Sequence, residues 1–102
     1  MIKVDFYRDE FGVPRARSES HQHIVADFLE SDIQGDRVLC REMIDQLAHT
    51  ASGWEWVGNA HSIRLNNNKA YIEGLFGGET EFVISIPDLV KLLLDWQSFL
   101  KP

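Results

Sequence analysis

The chain has 102 residues, 44 % of them hydrophobic and 11 % aromatic, with 16 acids against 10 bases and a formal charge of −6. That length suits one domain around one core, and the negative balance disfavours binding to nucleic acid through its phosphates. Cys40, the lone cysteine, excludes an intramolecular disulfide, and no stretch approaches the ~18 apolar residues of a membrane span. The N-terminal "MIKVDFYRDE" carries acids where a signal peptide would carry an apolar run, so the expectation is a soluble, cytoplasmic single domain over residues 1–102.

"IKVDFYR" alternates Ile2, Val4 and Phe6 with Lys3, Asp5 and Tyr7, a period of two that predicts a strand with one apolar face. "VPRARS" predicts a second strand, and Pro14, which lacks an amide donor, puts it at an edge or gives it an irregular start. Between them "DEFG" has turn chemistry: Asp9 tolerates unusual backbone angles and Gly12 reaches positive φ cheaply. The cluster "RDEFG" therefore reads as a hairpin corner.

From "SESHQH" onward the period lengthens. Ile24, Val25, Phe28, Leu29 and Ile33 gather on one side of a helix and His23, Asp27, Glu30 and Ser31 on the other. Ser20 is the expected N-cap, Gly35 the expected stop, and Asp36 the expected cap of a second helix. That helix buries Leu39, Cys40, Met43, Ile44, Leu47 and Ala51, and Gly53 is its expected stop. Four short strands follow, with turns expected at the asparagines of "NNNK" and at Gly77-Gly78. Pro87 and Asp88 announce a final helix, whose apolar face carries Leu89, Leu92, Leu93, Trp96, Phe99 and Leu100. The order ββααββββα, with helices packed on one face of antiparallel sheet, is an α+β fold.

Little in this pattern carries chemistry. His23 and Asp27 are four apart with Glu30 nearby, but a zinc site needs three or four converging ligands and local geometry fixes one pair. A solvated helix face is the expectation. Cys40 falls on an apolar stripe, where a thiol is structural. No Gly-x-Ser-x-Gly elbow and no phosphate loop is present. Trp54 and Trp56 share one sheet face, and packing against a helix accounts for them better than a strip for stacking bases. No catalytic residue, metal or cofactor is expected.

The acids remain. Asp27, Glu30 and Asp32 cluster around the exposed side and end of the first helix, and Glu73, Glu79 and Glu81 bracket Gly77-Gly78. Such groups on a small domain suit the capture of a basic partner, with Phe11 or Phe76 at a turn as an aromatic anchor.

Three stretches carry a family resemblance: "DFYRDEFG" followed by "SESHQH", then "WEWVGNAHSIRL", then "SIPDLVKLLLDWQSFL". In these the chain resembles the YacL-like family of small bacterial proteins. The resemblance implies an α+β fold and supplies no catalytic residue. In size and acidity the chain is also similar to bacterial toxin-immunity proteins, including those directed against contact-delivered nuclease toxins. The function expected is a cytoplasmic immunity protein that occludes the active site of a basic toxin, a nuclease by that likeness. Asp27, Glu30, Glu73, Glu79 and Glu81 would meet its cations. A YacL-like adaptor or regulatory protein is the alternative, and a small hydrolase built on His23, Asp27 and His61 is the third.

Overall fold

Two antiparallel sheets, one of two strands and one of four, pack with the helices in the computed structural model, which describes residues 3–18, 23–49, 54–75 and 81–101. The class is α+β, as the sequence pattern predicts. The chain runs β1 (Val4–Arg8), β2 (Pro14–Ser18), α1 (His23–Phe28), a π-helical turn (Leu29–Ile33), α2 (Arg37–His49), β3 (Glu55–Val57), β4 (His61–Asn66), β5 (Lys69–Gly74), β6 (Phe82–Ser85) and α3 (Ile86–Leu100).

The first two strands pair only with each other, in the register Val4↔Ser18 to Arg8↔Pro14. Their apolar face meets α3: Phe6 lies edge-on to Trp96 at 5.0 Å between centroids and against Phe99 at 5.5 Å. Ala16 faces the same way and is buried. The larger sheet is ordered β3-β4-β5-β6. Trp56, Ile63, Ile72 and Phe82 form one row across all four strands, and Leu65, Ala70 and Ile84 form the next. Both rows point toward the helices, as period-two alternation requires. Val57 and Val83 point the other way and are exposed. Asn67 and Asn68, with φ of 51° and 65°, make the two-residue turn that joins β4 to β5.

Apolar spacing builds the helices, and polar side chains set their ends. Ser85 caps α3, its hydroxyl oxygen accepting from the Asp88 amide at 3.2 Å, with Pro87 in the first turn. Leu89, Leu92, Leu93, Trp96 and Leu100 then form the buried stripe. Asp36 caps α2 by accepting from the Leu39 amide at 3.0 Å. The stop before it differs from expectation. Gln34, not Gly35, leaves the helix with φ of 55°, and its amide donates to the Leu29 carbonyl at 2.7 Å. The wider π turn moves the left-handed residue forward by one, and the Trp96 indole N–H seals the exposed Gln34 carbonyl at 2.9 Å. The expected roles of Ser20, Ala51, Gly53 and Gly77-Gly78 fall outside the described residues. Among the described residues no helix is long and apolar enough to cross a membrane.

Candidate functional site

The β1–β2 turn projects the most exposed large apolar side chain among the described residues. Phe11 is 82 % exposed at its tip. The turn beneath it is closed by its own sequence. The Asp9 amide donates to the Val13 carbonyl at 3.0 Å and the Gly12 amide to the Asp9 carbonyl at 2.9 Å, with Gly12 at φ 78°. This is a three-residue hairpin loop in which glycine takes the left-handed position. One oxygen of the Asp9 carboxylate accepts from the amides of Phe11 (2.8 Å) and Val13 (3.0 Å), and the other accepts from Arg15 Nε at 3.2 Å. Arg8 Nη1 donates to the Gly12 carbonyl at 3.0 Å, while its guanidinium sits 5.2 Å from the Phe99 ring centroid. The Val13 and Phe11 amides and the Arg15 guanidinium hold the Asp9 carboxyl below its ordinary value of 3.8. Every polar part of "RDEFG" except exposed Glu10 thus works to fix the loop, and Phe11 is what the loop displays.

The acids named from the sequence fall into two groups on different sides of the larger sheet. Asp27 is exposed on α1, which packs on the inner side of that sheet, and no ion pair engages it among the described residues. Glu30, three residues on, is turned back into the chain. It accepts from the Ala16 amide at 2.8 Å and lies 3.6 Å from Arg15 Nη1. Arg15 therefore bridges Asp9 and Glu30, tying the hairpin turn to the π turn. Glu73 is exposed on the outer face of the sheet. Glu81 reaches Arg64 at 3.1 Å across β5, and the Arg64 guanidinium stacks over Tyr71 at 4.5 Å. Glu79 and Phe76 lie outside the described residues.

Asp32 does not join the exposed acids. It is 5 % exposed and pairs with His61, itself 6 % exposed, through a 2.7 Å contact between Oδ1 and Nδ1. Its Oδ2 accepts from the amides of Ala60 (3.1 Å) and His61 (3.2 Å). Asp32 follows Phe28 by four residues and so shares its buried face, while His61 alternates with Ile63 and Leu65 on the inner face of β4. Phe28 meets His61 edge-on at 6.3 Å. The His23–Asp27–His61 arrangement is accordingly not formed, because His61 is committed to Asp32 and His23 and Asp27 are on the exposed face of α1. Glycine is required beside this pair: a Cβ on Gly58 would run into Asp32 Oδ2 and the Trp56 ring. Cys40 is fully buried, its thiol donating to the Leu93 carbonyl at 3.3 Å, and burial pushes its pKa up to about 11. That thiol is structural. Among the described residues no three His, Cys, Asp or Glu side chains converge on a metal-sized space.

The chain matches no protein-family model, no curated protein and no solved structure.

Proposed function

We propose that this chain is a binding protein of the immunity type, which captures a basic protein toxin and covers its active site, the toxin being a nuclease. The observation that carries this reading is Phe11, 82 % exposed on a loop fixed by hydrogen bonds to Asp9 and Arg8. Leaving a phenyl ring in water forgoes about 1.5–3 kcal/mol of burial, and a rigid display lets a partner recover it with little ordering cost. Aromatic anchors of this kind dominate the energetics of protein interfaces.

The charge of −6 supplies the choice of partner. A net negative field speeds encounter with a cationic surface and repels nucleic acid, so a nuclease whose active site is lined by Lys and Arg is the complementary target. Asp27 and Glu10 are exposed carboxylates available to such cations, whereas Asp9 and Glu30 are already paired with Arg15. The test is capture from the native cell followed by kinetics on the captured protein. A basic protein whose association rate falls steeply with added salt is expected. An acidic partner, or association indifferent to salt, contradicts the proposal.

A further inference from the structure

A cavity of about 160 Å³ lies between α2 and the edge strand β3, lined by Leu39, Glu42, Met43, Gln46, Trp54 and Trp56. Its construction follows from two periodicities. Leu39, Glu42, Met43 and Gln46 are spaced i, i+3, i+4 and i+7, one stripe of a helix. Trp54 and Trp56 are two apart and so share the face of the strand that looks at that stripe. The result is a recess with two indoles and two apolar helix side chains for walls, and a carboxylate and an amide on its polar side. At this size it admits one side chain and is well below the roughly 300–1,000 Å³ of sites for drug-sized ligands.

Glu42 supplies the charge of the recess. It is exposed, and among the described residues no hydrogen bond or ion pair engages it; Glu10, Asp27 and Glu73 share that state, but of these only Glu42 lines the recess beside two tryptophans. An unpaired carboxylate beside two tryptophans is a combination that favours a cation. Indoles attract one through the negative face of the ring, and a carboxylate adds charge-assisted hydrogen bonds. A planar guanidinium uses both at once, stacking on an indole and donating to the carboxylate, and its alkyl stem suits Leu39 and Met43. We propose that this recess is a subsite for one arginine side chain of the protein partner. The inference rests on the reading that the partner is basic.

The recess can be tested without the partner. Isotope-labelled protein is titrated with the peptide acetyl-Gly-Arg-Gly-amide while the three indole N–H resonances are followed. The matching peptide with citrulline in place of arginine is the uncharged control. Weak, saturable shifts are expected at Trp54 and Trp56, with Trp96, buried and bonded to the Gln34 carbonyl, as the silent internal reference. Glu42→Gln, on the exposed side of α2, should leave the fold intact and weaken arginine-peptide binding about tenfold. Absence of shifts up to the solubility limit of the peptide overturns the subsite. So does equal binding of the citrulline peptide, or binding undiminished in Glu42→Gln. Any of these leaves the Phe11 reading standing. Conversely, failure to capture a basic protein leaves a positive titration intact, so the two failures are distinguishable.

Discussion

Asp9 and Asp32 are held by the same three-bond pattern, yet they do opposite work. Each carboxylate takes two backbone amides on one oxygen and a basic side chain on the other. Asp9 closes a loop with partners two, four and six residues away, at the surface, beneath an exposed phenylalanine. Asp32 reaches 28 and 29 residues along the chain to pin the π turn to the start of β4, in the core. One fixes what the protein displays, and the other fixes what displays it. Burial makes the difference in cost: a surface carboxylate that loses its partners turns to water, and a buried one leaves amides and an imidazole with nothing.

The largest expected effect therefore falls on the buried member. Asp32→Ala should lower stability by on the order of 3 kcal/mol, read as a shift of the urea midpoint at unchanged slope. Asp32→Asn sharpens the comparison. Its amide oxygen can still accept from Ala60 and His61, so about half of that loss should return. Equal damage from both substitutions would mean that the charge, not the acceptor geometry, is what the core needs.

Gly58→Ala probes the same region by crowding. The added methyl meets Asp32 Oδ2 and the Trp56 ring, so a loss of about 1–3 kcal/mol is expected, measured by the same urea unfolding. A neutral result would show that the pocket around Asp32 is slack.

At the turn the effects are smaller and local. The Asp9 carboxyl titrates below its ordinary 3.8, so its stabilising contribution is complete above that value and is lost as pH falls through the lowered one. The amides of Phe11 and Val13 should hold their positions from neutral pH down to about 4 and move only under stronger acid, by NMR. Movement in the neutral range would break the assignment. Phe11→Ala should change stability by less than about 0.5 kcal/mol, because the ring packs against nothing the fold requires.

The same contrast decides how much the amino-acid sequence reveals. The α+β class, the elements and the turn at "RDEFG" follow from periods of two and 3.6 and from turn residues close together in the chain. Asp36 and the Asn67-Asn68 turn are legible for the same reason. The Asp32–His61 pair connects residues 29 apart, and periodicity gives no distance between elements. A signal was nonetheless present: Asp32 stands four residues after Phe28 and His61 two before Ile63, a polar residue on each of two apolar faces. Two such intrusions in one core imply each other. The fate of Glu30 had no comparable signal, since its bond to the Ala16 amide depends on how the π turn docks on β2. The π turn was equally hidden, because Gly35 is the better left-handed residue and packing, not propensity, selects Gln34.

The central claim is that the surface end of this pair exists to present Phe11 to a basic protein. Calorimetric titration of the captured partner with wild type and with Phe11→Ala tests it most directly. One-to-one binding is expected to weaken by about 2 kcal/mol or more in the variant, on the order of thirtyfold, with the melting temperature of the free protein unchanged. Equal affinity for both proteins would contradict it.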